Sequence, residues 1–291
     1  GDWLAAPDSD KLKPEMRGKS LKRSLDALYR SYDFAGRVEH DPINFPKKYR
    51  HKGDREAAGL VAAVLAYGKV SLFMPVVERI LGALGSSPSA YIADFDLKGA
   101  GRALGGVRYR FQRTDDILAL LYSMGVLLRR HGSIEGAFMA RYSGDDSTTG
   151  PALEGLVEEI MDIDTSKVYG TKEKPRGFLQ LFPSPRRGSA CKRLNLYLRW
   201  MVRNHDIDLG LWKGVSPSKL VVPLDAHIAR VSRCLGLTSR KSDGWKTALE
   251  ITGSLREFDP EDPLKYDFAL CHRGIMGLCE KDLCGECELW N

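Results

Sequence analysis

The stretch that decides the fold covers residues 221–237 and reads VVPLDAHIARVSRCLGL. After Asp225, apolar residues recur three or four positions apart, at Ile228, Val231 and Leu235. This spacing places them on one face of a helix, and an Asp in front of a helix can accept hydrogen bonds from its first N–H groups. The Leu-Gly-Leu ending is typical of a helix that a glycine closes. The pattern therefore predicts a helix directly after Asp225, and on these grounds alone Asp225 is a helix cap.

The rest of the chain favours a mostly helical globular protein. Its 291 residues are 43% hydrophobic, which is enough for a sizeable core, and alternating β-type runs are scarce. No apolar run approaches the ~20 residues of a membrane span, and the polar N-terminus lacks the apolar core of a signal peptide. These features predict an all-α fold, no membrane insertion and a cytoplasmic location.

Several helices are predicted before that stretch, covering residues 21–34, 54–69, 70–84, 114–130 and 151–163. A compact turn at 181–189 then precedes a further helix over 190–202, with Ser189 as its expected cap. Lys192 lies near the start of this helix and away from its apolar stripe. By composition alone, a lysine in such a place is a surface lysine.

The distribution of charge points to nucleic acid. The net charge is +6 and the pI about 8.9, and basic residues cluster at 47–52, 108–110, 129–131, 186–187 and 192–193. A single basic cluster is usually a solvated face. Several clusters that flank one candidate site favour contacts with phosphate groups.

The cysteines are concentrated at the C-terminus. Four of the six fall in the last 21 residues, at Cys271, Cys279, Cys284 and Cys287. In a cytoplasmic protein such a cluster favours a metal over disulfides, and zinc and a [4Fe–4S] cluster both accept four thiolates. The alternative is a set of reduced thiols without a metal. Cys191 and Cys234 are predicted to be core thiols within helices.

Several segments of the chain also resemble one protein family. Residues 221–237 resemble the signature V-D-T-H-V-x-R-V-x-x-R-L-G-L of the helix-hairpin-helix DNA glycosylases, the superfamily of endonuclease III. Residues 54–69 resemble the first helix of that core, and 268–289 resemble the iron–sulfur loop of endonuclease III and the A/G-specific adenine glycosylases. Residues 204–219 resemble an insert of the archaeal 8-oxoguanine glycosylases. The whole chain looks closest to a bacterial branch of the superfamily.

The resemblance implies a fold of two helical lobes with a DNA cleft between them. Residues 1–40 would be an N-terminal extension with the first helix. One lobe would combine 41–110 with 238–291, and the other would hold 111–237.

The resemblance also implies the site residues. Lys192 would be the catalytic lysine and Asp225 the catalytic carboxylate. DNA contacts are implied for Arg186, Arg187, Gly188, Ser189, His227 and Arg230, a base pocket for Tyr67 and Lys69, and metal ligation for Cys271, Cys279, Cys284 and Cys287.

A lysine nucleophile must be a neutral amine, whereas a free lysine is almost wholly charged near pH 7. Burial, the helix N-terminus and the cations of Arg186, Arg187 and Arg193 all disfavour a further positive charge. We therefore expect the pKa of Lys192 to be lowered.

Two functions of different class follow. The first is a DNA glycosylase, with or without AP lyase activity, that removes a damaged base such as 8-oxoguanine from double-stranded DNA at the nucleoid. The second is a non-catalytic helix-hairpin-helix DNA-binding protein. The pair Lys192 and Asp225 favours the enzyme. The turn at 181–189 favours the binding protein, because it has one glycine where the family has Gly-x-Gly.

Overall fold

Helices make up the fold in the computed structural model, which describes residues 14–275 and Leu289. That part of the chain has no β-strand, and the prediction of an all-α fold is confirmed. The helices in chain order are α1 (Pro14–Ser31), α2 (Asn44–Lys47), α3 (Lys52–Leu65), α4 (Val70–Leu84), α5 (Pro88–Ala93), α6 (Leu97–Ala103), α7 (Thr114–His131), α8 (Ile134–Met139), α9 (Gly150–Asp162), α10 (Ser166–Tyr169), α11 (Arg176–Leu179), α12 (Lys192–Val202), α13 (Ala226–Cys234), α14 (Trp245–Phe258) and α15 (Asp267–Ile275). Two 3₁₀ turns cover Ala35–His40 and Pro217–Lys219. No helix in this part of the chain is long and apolar enough to cross a membrane.

The central helix α3 begins and ends earlier than the predicted helix over 54–69. Asp54 does not open it but lies buried in its first turn, where its carboxylate accepts hydrogen bonds from Ser87 and Ser89 in front of and within α5. After Leu65 the chain turns, and Gly68 adopts a positive φ of 80° that favours glycine. Asp54 thus ties α3 to a neighbouring helix rather than to its own N-terminus.

The buried apolar side chains form two clusters. The first core is built almost entirely from residues between 43 and 220. The second core joins α1 to α13, α14 and α15. Residues 43–110 share the first core with the residues up to 220, and the two lobes stay a prediction. Periodicity identifies the apolar face of a helix but not the helix that covers it.

A buried ion network connects α12 to the second core. It consists of Arg199, Arg203, Asp206, Asp208, Asp262 and Asp267. Arg199 lies 2.6 Å from Asp267 of α15, and Arg203 lies 2.7 Å from Asp262 just before α15. Asp206 and Asp208 come from the segment 204–219, which follows α12. This segment therefore supplies counter-charges to the helix that begins with Lys192.

Arg203→Met should lower the free energy of unfolding by about 3 kcal/mol, because it leaves buried carboxylates without a partner. Arg203 is only 2% exposed in its side chain, and Asp208 is fully buried. Urea denaturation measures the loss. The matched control is Arg187→Met, an exposed arginine outside the network, for which we expect a change within about 0.5 kcal/mol. A loss for Arg203→Met as small as the control's would contradict a stabilising role for the network.

Candidate active site

Asp225 caps α13, as the sequence predicts. It follows a buried extended segment and has extended backbone angles, so its side chain folds back over the first turn of the helix. Asp225 Oδ1 accepts hydrogen bonds from the N–H groups of His227 and Ile228, both at 2.9 Å. These bonds satisfy two of the free donors at the helix start. The other oxygen, Oδ2, remains available for a second partner.

Lys192 is the first residue of α12. The residue before it, Cys191, adopts a left-handed conformation with φ of 48°, and no side chain caps the helix. The predicted cap Ser189 instead accepts a hydrogen bond from the Cys191 N–H at 3.2 Å. Cys191 is buried, as predicted, but it precedes the helix rather than lying within it. Burial raises the pKa of its thiol to about 12.

The fold brings Lys192 and Asp225 together. Lys192 Nζ lies 3.0 Å from Asp225 Oδ2, and the two side chains are 37% and 17% exposed. One residue starts a helix of the first core, and the other caps a helix of the second core. The pair therefore stands where the two cores meet, and it is accessible from outside.

The electrostatics of the pair differ from the expectation for Lys192. Burial alone lowers the pKa of its ammonium, but the charge and hydrogen bond of Asp225 outweigh burial, so the pKa is raised. For Asp225, burial raises the pKa of the carboxyl, but the Lys192 charge and the bond from the Ile228 N–H outweigh it, so the pKa is lowered. The prediction of a lowered pKa for Lys192 is wrong for the free protein. The opposite charge at 3.0 Å decides the sign.

The two shifts define the pH range in which the pair stabilises the fold. A raised lysine pKa gives stability that is complete below the unfolded value of about 10.4 and is lost as the pH rises through the folded value. A lowered aspartate pKa gives stability that is present above about 3.9 and is lost as the pH falls through the folded value. The ion pair is therefore the resting state throughout the neutral range.

One cysteine of the predicted metal site lies at this pair. Cys271 Sγ is 3.8 Å from Asp225 Oδ2, and burial raises the pKa of its thiol. The other predicted ligands, Cys279, Cys284 and Cys287, lie outside the described residues. Within the described part of the chain, no group of three His, Cys, Asp or Glu side chains is placed to hold a metal ion. The zinc or [4Fe–4S] site stays a prediction.

The hairpin before α12 does not offer its backbone donors to a ligand. All four N–H groups of the predicted DNA-binding residues 186–189 donate within the protein. Their acceptors are Glu154 for Arg186 (2.9 Å), Ser184 Oγ for Arg187 (3.2 Å), the Pro185 carbonyl for Gly188 (2.8 Å) and the Ser184 carbonyl for Ser189 (3.3 Å). These N–H groups are therefore not free to bind a phosphate, and DNA contacts from this turn would have to come from side chains.

The two arginine side chains of the hairpin differ in whether they are free to bind a phosphate. Arg186 is exposed but pairs with Glu158 at 3.1 Å. Arg187 is exposed and makes no ion pair among the described residues. A cavity of about 560 Å³ lies between the hairpin and α9, and neither Lys192 nor Asp225 lines it. Arg187 is thus the hairpin cation most available to a phosphate.

The two other predicted DNA contacts face inward. Arg230 donates to the Gly274 carbonyl of α15 at 2.7 Å. His227 is half-buried, and its Nδ1 is buried without a hydrogen-bond partner in the described structure. Both side chains lie where α13 packs against α15. The structure brings His227 next to Asp225 through the cap, but it assigns Arg230 to the helix interface.

The predicted base-pocket residues, Tyr67 and Lys69, differ in their burial and in their contacts. Tyr67 is half-buried, its hydroxyl donates to Gln112, and two guanidinium groups lie near its ring, Arg193 at 4.9 Å and Arg110 at 5.4 Å. The Arg193 guanidinium donates to backbone carbonyls, and burial lowers its pKa to about 10. Tyr67 is therefore packed against the residue that follows Lys192. Lys69 is exposed in front of α4.

A tight turn carries an exposed aromatic residue that no motif in the sequence marks. Tyr109 and Gln112 exchange backbone hydrogen bonds of 3.0 and 2.8 Å, which places Arg110 and Phe111 at the tip. Phe111 is 47% exposed, and the Arg176 guanidinium lies 5.6 Å from its ring centroid. Exposed aromatic rings beside arginines are typical of surfaces that bind nucleic acids. The neighbouring basic cluster was the only signal in the sequence.

The fold and the site define an all-helical protein with an ion-paired lysine and aspartate at the starts of two helices. A family model described as "Protein of unknown function (DUF2400)" matches residues 41–276, most of the chain, so the chain belongs to that family. The matched range includes Lys192 and Asp225 and ends before Cys279. No curated protein matches the sequence. No solved structure matches it.

Proposed function

We propose that the protein is a DNA glycosylase that removes a damaged base from double-stranded DNA, with Lys192 and Asp225 as its reacting residues. The observation that supports this most is the 3.0 Å contact between Lys192 Nζ and Asp225 Oδ2. An amine and a carboxylate this close can act on the same sugar carbon. Both side chains are also partly exposed, so a nucleotide turned out of the duplex could reach them.

Asp225 would stabilise the sugar while the base leaves. When the bond between C1′ and the base nitrogen breaks, its electron pair departs with the base and positive charge develops on the sugar. A carboxylate that is already ionised and held in place stabilises this charge without rearranging. The low pKa of Asp225 and the two hydrogen bonds to its Oδ1 meet both conditions.

Lys192 would form the new bond to C1′. Its ammonium must first lose a proton, and the departing base takes up one, so the protons balance. The nitrogen lone pair then bonds to C1′, and opening of the sugar ring gives a Schiff base that borohydride reduces to a stable amine. Because Lys192 is an ammonium in the resting pair, this step requires the pair to separate when substrate is bound.

The surface around the site supports DNA as the partner. The net charge is +6. Arg187 on the hairpin is exposed and unpaired among the described residues, and the turn tip carries Arg110 and Phe111. Cations can bind phosphates, and an exposed ring can stack on a base.

A panel of duplexes tests the proposal. Each duplex carries one damaged base, starting with 8-oxoguanine, or an abasic site, and is incubated with protein and borohydride. We expect base release and a covalent adduct with at least one damaged base. The charged state of Lys192 would instead suit a non-catalytic helix-hairpin-helix DNA-binding protein. That alternative is supported if the protein binds the duplexes but releases no base and forms no adduct.

Arg187→Ala should weaken binding to every duplex several-fold, whatever its sequence, because a phosphate contact carries no sequence information. The slope of log K against log salt concentration should fall by about 0.9, as expected for one lost phosphate contact. Fluorescence anisotropy at several salt concentrations measures both effects. The control is Lys98→Ala, an exposed lysine of α6. An Arg187→Ala slope equal to wild type would show that Arg187 makes no phosphate contact.

A further inference from the structure

The helix α15 contacts both helices that carry the Lys192–Asp225 pair. Toward α13, a Cβ added at Gly274 would lie only 2.9 Å from the Cβ of His227, so the two helices pack at close range. Toward α12, Asp267 lies 2.6 Å from Arg199. A side chain of α15 between Asp267 and Gly274 can therefore lie next to Lys192 and Asp225.

Cys271 is that side chain. It follows Asp267 by one helical turn, and its Sγ lies 3.8 Å from Asp225 Oδ2, the same oxygen that pairs with Lys192. As a thiol donor Cys271 is not a metal ligand, so this role is an alternative to the predicted metal site. A thiol can donate a weak hydrogen bond to a carboxylate. Asp225 Oδ2 thus has two donors, of which only Lys192 carries a charge.

We propose that Cys271 is a positioning residue that holds Asp225 Oδ2 in place when Lys192 leaves the carboxylate to bond with the sugar. This inference rests on the proposed function. During that step Asp225 loses its charged partner, while its Oδ1 stays on the N–H groups of His227 and Ile228. One oxygen alone leaves the carboxylate free to rotate about its hydrogen bonds. The Cys271 thiol holds the second oxygen, Oδ2, by its hydrogen bond.

Single-turnover excision in Cys271→Ala and Cys271→Ser tests the proposal. We expect the alanine variant to lose about tenfold in rate, which corresponds to one weak hydrogen bond, with unchanged affinity for the duplex. The serine variant keeps an O–H donor and should regain most of the rate. The control is Ile275→Ala on the same helix, where the side chain is 55% exposed. Equal losses in the alanine and serine variants, or no loss in either, would overturn the proposal.

A second measurement does not depend on enzymatic activity. Hydrogen exchange of the His227 and Ile228 amides reports how firmly Asp225 is held, because both donate to its Oδ1. The comparison is made in a Lys192→Ala background, where Oδ2 has lost its charged partner. Exchange should become faster when Cys271→Ala is added, and stay unchanged when Cys271→Ser or Ile275→Ala is added. If the wild type excises no base but this pattern is found, the proposed function fails and the positioning of Asp225 stands. Unchanged exchange on adding Cys271→Ala in this background would contradict the positioning role directly.

Discussion

Lys192→Gln is expected to abolish the covalent adduct that borohydride traps, and to reduce adduct formation on an abasic site by at least about 10³-fold. The amide of Gln is similar in size to the lost side chain, but its nitrogen lone pair is delocalised and cannot form a Schiff base. The loss should appear in the bond-forming step, because Lys192 pairs with Asp225 and is not proposed to bind a phosphate.

Binding and folding provide the controls for this variant. Affinity for an abasic duplex should stay within about twofold of wild type, since no phosphate contact is removed. The cap of α13 should also persist, because Asp225 Oδ1 bonds to backbone N–H groups and not to Lys192. Lys98→Gln is the matched surface variant and should trap DNA like wild type. A wild-type yield of adduct from Lys192→Gln would show that another amine forms it.

Asp225→Asn is expected to reduce base release by about 10³-fold, because it removes the negative charge that stabilises the developing sugar cation. The substitution is conservative for the fold, since the Asn side-chain oxygen can still accept from the His227 and Ile228 N–H groups and asparagine is a good helix cap. Single-turnover release of the damaged base measures the effect. A loss of less than about tenfold would argue that Asp225 serves the fold and not the reaction.

The same variant should move the pH dependence of adduct formation on a ready-made abasic site. In the wild type, Asp225 raises the pKa of Lys192, so the neutral amine is scarce and the rate should climb as the pH rises from about 6 to about 9. Without the Asp225 charge the pKa of Lys192 falls, and the profile should shift to lower pH. Asp225→Asn would thus have opposite effects on the two steps. It would slow base release and favour attack by the Lys192 amine. Profiles that coincide would mean that deprotonation of Lys192 does not limit adduct formation.

Structural features that depend on residues close together in the chain could be predicted from the sequence. The cap at Asp225 is set by N–H groups two and three residues further on, and the apolar face of α13 is set by the spacing of its side chains. The all-α fold follows from many such local patterns. Helix ends were less predictable, because Asp54 binds residues of α5 and Cys191 takes a left-handed conformation ahead of α12. Both positions are decided by contacts from elsewhere in the chain.

The sequence by itself determined which groups could react, an amine at Lys192 and a carboxylate at Asp225, because those are properties of the residues. Only the tertiary structure decided that the two meet at 3.0 Å, and hence that the pKa of Lys192 rises although burial lowers it. It also assigned the donors of the hairpin to Glu154, Ser184 and Pro185 instead of a ligand. Electrostatic energy depends on the distance between charges, and residues far apart in sequence acquire a distance only when the chain folds.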